Sequence, residues 1–119
     1  MSRSRLYGLV AGLLFVPLGA HAQAPDGQKV FNLQCRSCHA AASSPMGPSL
    51  AGVFQGPVAA RSDFRYSPAL KAKGGVWSEQ RLDAYLKAPS AFAPGGRMTY
   101  ALADADRRKA VIAYLRTLK

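Results

Sequence analysis

The stretch Cys35-Arg36-Ser37-Cys38-His39 carries the strongest chemical signal in this 119-residue chain. Two cysteines separated by two residues, with a histidine directly after the second, form the pattern that attaches a c-type heme. Both thiols can add to the two vinyl groups of one porphyrin, and the short turn then directs the imidazole at the iron. The sequence therefore predicts one covalent heme c, bound through Cys35 and Cys38, with His39 as the proximal iron ligand.

Two other chemistries also use a pair of cysteines at this spacing. A redox dithiol of the thioredoxin type lies in a βαβ context, and a structural zinc site needs two further ligands. The chain has only two cysteines, and both belong to the motif. A zinc or dithiol module therefore stays an alternative only if heme is absent.

The N-terminus has the pattern of a secretory signal peptide. Two arginines lie within the first five residues, an almost wholly apolar run extends to Leu18, and Ala20-His21-Ala22 is a small-x-small cleavage site. The apolar run is too short for a membrane span, which needs about 20 residues. We predict a signal peptide over residues 1–22, cleaved before Gln23, although the frame Ala22-Gln23-Ala24 also fits the cleavage pattern.

Residues 23–119 would then form one small domain in the periplasm. A chain of this length buries a modest core, to which a covalent heme would add a large apolar plate. The formal net charge of the full chain is +10, and it falls by two when Arg3 and Arg5 leave with the signal. This basic balance favours acidic protein partners or transient contact with anionic membrane surfaces, and the exported location disfavours nucleic acid.

Capping and periodicity signals predict three to four helices joined by long loops, and no segment alternates like a strand. Pro, Gly, Ser and Ala dominate residues 40–60 and much of 88–103, which we expect to be loops. The first expected helix covers residues 27–38 after the cap Asp26, and a short second one runs from Ser67-Pro68 to Lys73, before Gly74-Gly75. A third begins at Ser78 and ends at Pro89. The last begins at Asp104 or Asp106. The first helix delivers the heme motif.

The identity of the sixth iron ligand decides whether the protein is an electron carrier or a catalytic heme protein. His21 belongs to the predicted signal peptide, so the mature chain keeps only His39. Met46 is too close to His39 in the sequence to reach the opposite face of the heme. Met98 ends the run Pro94-Gly95-Gly96-Arg97-Met98, in which glycine lets the backbone lie close to the porphyrin. A methionine is otherwise a flexible core filler, but beside a heme motif we predict Met98 as the second iron ligand.

Over residues 26–119 the chain resembles a bacterial class I cytochrome c with a mitochondrial-like layout. Beyond the heme motif the matching stretches are Gly47-Pro48-Ser49-Leu50, Gly52-Val53-Phe54, Phe64-Arg65-Tyr66-Ser67, Trp77, Tyr85-Leu86, Pro89, Pro94-Gly95-Gly96-Arg97-Met98 and Ile112-Ala113-Tyr114-Leu115. The resemblance implies a mainly α-helical class I cytochrome c fold wrapped around one heme with His39 and Met98 on its iron. It also implies a crossing of the first and last helices where Gly27 admits Tyr114.

The same resemblance implies roles for four residues around the heme. The Pro48 carbonyl would accept the Nδ1 proton of the proximal histidine and so fix its tautomer. Tyr66 and Trp77 would donate hydrogen bonds to a buried heme propionate, and Tyr85 would lie against the methionine sulfur. For each aromatic residue the alternative is plain core packing with a satisfied polar end.

The chain also departs from the mitochondrial pattern. Gly56 stands where that type has an arginine near the propionates, so polar support of the heme is thinner. Neutral residues replace most of the lysines around the heme edge, and only Arg97 remains of that ring; the replacements are Gln34, Ser90 and Ala91. We expect the basic run Arg107-Arg108-Lys109 to be a solvated helix face and the docking edge to depend on Arg97 and apolar contacts.

Together these features predict a periplasmic, monomeric carrier of single electrons between redox protein donors and acceptors, not an enzyme. An alternative is the electron-accepting cytochrome subunit of a periplasmic dehydrogenase, which differs in partner and not in site. A catalytic or sensory heme protein would need Met98 unligated and the sixth iron site open. A peroxidase would also need a distal acid–base group, which a mature chain with one histidine lacks.

Overall fold

The computed structural model describes residues 24–119 together with the isolated positions Gly12, Leu14 and Gly19. Five helices follow one another: α1 Gly27–Gln34, α2 Pro68–Lys73, α3 Glu79–Lys87, α4 Pro89–Phe92 and α5 Ala105–Leu115. Residues 24–119 contain no strand, only two isolated β-bridges. The expected mainly α-helical class with long loops is confirmed. The predicted signal peptide and its cleavage site lie outside the described residues, those isolated positions apart.

Side-chain caps begin four of the helices as the sequence predicts. Asp26, Ser67 and Ser78 each accept a hydrogen bond from the backbone N–H three residues further on. The sequence left Asp104 and Asp106 as alternatives for α5, and the structure selects Asp104, which accepts from the Arg107 N–H at 2.8 Å. Each cap satisfies one of the N–H groups that a helix start leaves without a partner.

One helix boundary and one expected loop differ from the prediction. Helix α1 ends at Gln34 and not at Cys38, because the heme motif itself turns: the His39 N–H donates to the Cys35 carbonyl oxygen at 2.9 Å. The segment 88–103, expected to be a loop, contains the single-turn helix α4. Pro89 closes α3 and begins α4 with the same ring, since a proline at the first helical position lacks only an N–H that would be unpaired there. Residues 24–119 therefore contain five helices, not three to four.

The first and last helices cross at Gly27. A Cβ atom at this position would overlap the carbonyl oxygen of Ala110 and lie 3.1 Å from the Tyr114 Cβ. The rings of Phe31 and Tyr114 pack at 5.2 Å beside this contact. The crossing is present as expected, but the atom that Gly27 admits most closely is the Ala110 backbone and not the Tyr114 side chain.

Helix α5 is fixed to α3 by Arg108. The Arg108 Nε donates to Asp83 at 2.8 Å, and its Nη1 donates to the carbonyl oxygens of Leu102 and Ala103 at 3.0 and 2.7 Å. Only 6% of this residue is exposed. The expected solvated basic face is therefore wrong for Arg108, whereas Arg107 and Lys109 are exposed. Successive residues on a helix point in different directions, so one of three neighbouring cations can face the core.

Candidate heme site

The turn after α1 brings the three residues of the heme motif together at one end of the core. Cys35 and Cys38 are unpaired and half-buried, and His39 is half-buried beside them. Burial raises the pKa of the Cys35 thiol, which keeps it neutral. Two thiols within one turn and an imidazole next to them form the set of side chains that a c-type heme requires.

The imidazole is oriented by a backbone carbonyl. His39 Nδ1 lies 2.9 Å from the Pro48 oxygen, which can only accept. Nδ1 must therefore carry the proton, and the lone pair of the neutral ring lies on Nε2, the nitrogen left for a metal. This is the hydrogen bond that the resemblance implied.

Gly47 allows its loop to lie close to the Cys38 backbone and the His39 ring, which this hydrogen bond requires. A Cβ atom there would lie 2.5 Å from the Cys38 carbonyl oxygen and 3.2 Å from the His39 ring. The bridge between Ser44 and Gly47 holds the loop in place through N–H···O bonds of 3.0 and 3.2 Å. The loop can thus carry the Pro48 carbonyl to the imidazole only because position 47 has no side chain.

A cavity of about 740 Å³ opens in front of the motif, and we call it the heme cavity. Cofactor-sized pockets span roughly 300–1,000 Å³, so a heme is of suitable size. All eight residues predicted for the site line this one cavity: Cys35, Cys38, His39, Pro48, Tyr66, Trp77, Tyr85 and Met98. Its volume, its thiols and its oriented imidazole fit a covalent heme.

The polar groups of the cavity favour heme over a zinc site. Among the described residues, no three His, Cys, Asp or Glu side chains are grouped so that they could hold a metal ion. The Gln34 side chain also lines the cavity, and its Oε1 atom is buried without a hydrogen-bond partner within the described residues. A buried acceptor without a donor is costly, so the folded chain is adapted to something that enters this space.

Met98 and Met46 differ in how they meet the cavity. Both methionines line the cavity, but Met46 is 70% exposed, whereas Met98 is half-buried. Gly95 has a φ of 85° in the loop before Met98, a backbone conformation that favours glycine. A well-fixed, partly buried thioether is the better candidate for a permanent contact.

Arg97 fixes the loop that carries Met98. Its Nη1 donates to the Arg65 carbonyl oxygen at 2.7 Å and its Nη2 to the Pro45 carbonyl oxygen at 3.1 Å. The guanidinium also lies 5.3 Å from the centre of the Phe64 ring. Arg97 therefore joins three loops around the cavity. The expectation that it serves mainly as a docking cation at the heme edge overlooked this structural role.

The aromatic residues of the site belong to two groups. Trp77, 6% exposed, packs against Tyr85 at 4.9 Å and Phe92 at 5.6 Å between ring centres. Tyr66 meets Phe64 edge-on at 5.0 Å. Burial raises the pKa of both Tyr66 and Tyr85, so both phenols stay protonated donors at neutral pH.

The absence of a side chain at position 56 has a steric cause. A Cβ on Gly56 would lie 2.5 Å from the Gly52 carbonyl oxygen. The Gly56 carbonyl also accepts from the Trp77 N–H at 2.8 Å, which fixes the backbone. An arginine, as the mitochondrial type has here, does not fit this backbone.

Sequence reasoning missed one charged pair at the cavity. Arg61 lines the cavity and donates from Nε and Nη2 to Asp63 at 2.9 and 2.7 Å. Asp63 in turn accepts from the Ser43 hydroxyl at 3.0 Å. An arginine and an aspartate two residues apart in a loop carry no sequence signal of their own, and only the folded loop reveals that they share a wall with the heme motif.

Comparisons with known proteins agree with this geometry. The family model for cytochrome c matches residues 24–119. The chain is 37% identical to cytochrome c2 of Rhodospirillum rubrum, with 94% of each chain covered. It is 39% identical to the cytochrome c-type cyt cy of Rhodobacter capsulatus over 86% of this chain, and it spans about half, 52%, of that longer relative.

The fold has a counterpart among solved structures. Cytochrome cH from Methylobacterium extorquens superposes with a TM-score of 0.72 at 31% identity, over 81% of this chain and 99% of that one. The family model spans residues 24–119, the part of the chain that contains the five helices and the loops that form the cavity. The chain thus belongs to the cytochrome c family, as an electron carrier with one covalent c-type heme and not an enzyme.

Proposed function

We propose that the protein is a periplasmic single-electron carrier in which His39 and Met98 would be the two protein ligands of the heme iron. The observation that carries this proposal is that the motif thiols, the oriented imidazole and the Met98 thioether all line one cavity. The Pro48 carbonyl supports the role of His39 because it leaves Nε2 as the ring's only lone pair. The half-buried position of Met98 supports its choice over the exposed Met46.

Each of these side chains would have a distinct task. Cys35 and Cys38 would anchor the cofactor as thioethers, so that it cannot dissociate. When bound, heme supplies an iron that alternates between the ferric and ferrous states. The thioether of Met98 is a soft ligand that favours the ferrous state and raises the reduction potential. Ligands on both sides leave no position for a substrate, which separates this proposal from a catalytic or sensory heme protein.

The apolar wall of the cavity supports fast electron exchange. Trp77, Leu82 and Val111 line it and are buried, so little water would reach the iron. A dry, rigid surround needs little rearrangement when the charge changes by one. The cavity would therefore rearrange little when the iron gains or loses one electron.

The protein exchanges electrons with redox proteins, as members of its family do. We further propose a monomer in the periplasm, supported by the signal-like residues 1–22 and the basic charge. Transient contact with anionic membrane surfaces fits the same charge. In the part of the chain that the structure describes, no helix is long and apolar enough to cross a bilayer. A role as the cytochrome subunit of a periplasmic dehydrogenase would use the same site with another partner.

Mass spectrometry and redox titration of protein purified from the periplasm test this proposal. We expect a chain beginning near Gln23 plus the mass of one heme that survives acid extraction, and a titration that follows a single one-electron curve. Cys35→Ala and Cys38→Ala should each leave at most one thioether. A mass equal to the bare polypeptide, or rapid binding of carbon monoxide by the reduced wild type, would contradict the proposal.

A further inference from the structure

We propose that Arg61, oriented by Asp63, is the cationic partner of a heme propionate in this protein and raises its reduction potential. The residue takes over the task of the arginine that Gly56 excludes. The inference rests on heme c occupying the described cavity. It assigns a positioning residue that neither the motif nor the matched stretches indicate.

The charges on the cavity wall lead to this assignment. Among the described residues that line the cavity, only two side chains carry a formal charge, and both are arginines: Arg61 and Arg97. Heme c brings two propionate carboxylates into this space. A carboxylate that leaves water needs a cation or several hydrogen bonds, because burial of an unpaired charge is strongly unfavourable. The two arginines are therefore the candidates for a cationic partner on this wall.

Hydrogen bonding distinguishes the two arginines. Arg97 already uses both terminal nitrogens on the carbonyl oxygens of Arg65 and Pro45. Arg61 uses Nε and Nη2 on Asp63, and its Nη1 makes no hydrogen bond within the described residues. Guanidinium groups bind carboxylates through such a fork of donors. Arg61 thus keeps a terminal nitrogen for a second carboxylate while Asp63 holds the group in place.

The position of Arg61 next to Tyr66 points to the same corner of the cavity. The backbone N–H of Arg61 and the charge of its guanidinium both oppose the rise that burial causes in the pKa of Tyr66. The Arg61 backbone therefore lies beside the phenol, and both residues line the cavity. A carboxylate placed there meets a hydroxyl donor and a cation together, as a propionate requires.

Asp63 does more than neutralise its partner. Its Oδ1 accepts from the Ser43 hydroxyl at 3.0 Å, and Ser43 accepts from the Ser49 N–H at 2.8 Å. These bonds tie the Arg61 loop to the loop that carries Pro48. The guanidinium beside Asp63 holds the pKa of that carboxyl below its ordinary value, so Asp63 stays ionised at neutral pH. The negative charge of Asp63 therefore offsets part of the effect of Arg61 on the iron.

Coulomb's law gives the sign of each expected change. Ferric iron carries one more positive charge than ferrous iron, so a nearby cation favours the ferrous state and raises the potential. Arg61→Gln should lower the midpoint potential, since it removes the cation and leaves Asp63 unpaired. Asp63→Asn should raise the potential, and Arg61→Lys should stay near wild type because the charge is kept.

The experiment measures midpoint potentials of the holoproteins, with heme content as a second readout. Arg65→Gln is the matched control, because it removes the same charge from an exposed side chain four positions away that does not line the cavity. We expect Arg61→Gln to shift the potential downward more than the control does, because Arg61 lines the cavity and Arg65 does not. Arg61→Gln should also lower the fraction of chains that carry heme.

Equal shifts for Arg61→Gln and Arg65→Gln would overturn the inference, and so would an unchanged potential in Asp63→Asn. A loss of stability alone does not imitate the expected result, since unfolding has no reason to move the potential in opposite directions for Arg61→Gln and Asp63→Asn. Failure of the proposed function is a separate outcome, in which the wild type itself carries no covalent heme.

Discussion

The Nδ1 atom of His39 lies 2.9 Å from the carbonyl oxygen of Pro48, and this contact sets which ring nitrogen can bind iron. The carbonyl cannot be removed by substitution, because it belongs to the backbone. Its position, however, depends on Gly47, where a Cβ atom would come within 2.5 Å of the Cys38 carbonyl oxygen. The absence of a side chain at Gly47 therefore lets the next residue, Pro48, fix the tautomer of His39.

Gly47→Ala should disturb the proximal ligand. The added methyl group must displace the His39 ring or the Cys38 carbonyl, at a cost of about 1–3 kcal/mol in the free energy of unfolding, as for other overpacked sites. We expect a lower heme content and an altered Soret band. Gly74→Ala is the control, because its φ of 58° strains an alanine while the space around it is open. Loss of stability in both variants with an unchanged heme spectrum in both would contradict the role of Gly47.

Met98→Ala should remove the second iron ligand. The weak absorption band at the red end of the visible spectrum, which a ferric iron–methionine bond gives in the cytochromes that this chain resembles, should disappear. The potential should fall, because a soft ligand favours ferrous iron, and the iron should become open to small ligands such as carbon monoxide. Met46→Ala should keep the band, since Met46 is 70% exposed. The reverse pattern would make Met46 the ligand.

Tyr85→Phe should make the protein less sensitive to alkali. Burial raises the folded-state pKa of Tyr85 above its ordinary value of 10.0. A raised pKa stabilises the fold below the ordinary value, and this contribution is lost as the pH rises through the folded-state pKa. The unfolding midpoint in guanidinium chloride should therefore decline less between about pH 9 and about pH 11 in Tyr85→Phe than in wild type. Equal declines would show that another group dominates the alkaline loss.

Local signals explain why most of the architecture could be predicted from the sequence. Asp26, Ser67 and Ser78 each cap a helix through a hydrogen bond to a residue three positions away, and such a bond is encoded within one turn. The heme motif is equally local. The other cavity-lining residues Pro48, Tyr66, Trp77 and Tyr85 followed from the family resemblance and not from a local signal.

Two polar contacts that join distant parts of the chain were not predicted. Arg108 and its exposed neighbours have the same local sequence character, and only the contact with Asp83, 25 residues away, makes one of them a core residue. Arg97 bonds to carbonyl oxygens 32 and 52 residues away, so its role in joining loops is invisible along the chain. Polar contacts at long sequence separation follow from loop placement, which no periodicity encodes.

The ion pair between Arg108 and Asp83 leads to a graded prediction on stability. The Arg108 side chain is 7% exposed and the Asp83 side chain 46%. Arg108→Ala removes the donors of two carbonyl oxygens as well as the ion pair, so we expect a loss of about 2–4 kcal/mol in the free energy of unfolding. Asp83→Ala should cost about 1 kcal/mol, because Arg108 keeps its bonds to Leu102 and Ala103. Arg107→Ala, on the exposed side of the same helix, should change the value by less than about 0.5 kcal/mol.

Guanidinium chloride unfolding of the three holoproteins measures this order. If Arg107→Ala and Arg108→Ala were equally mild, Arg108 would be a surface cation in solution, and the basic run would be the solvated face that the sequence predicts.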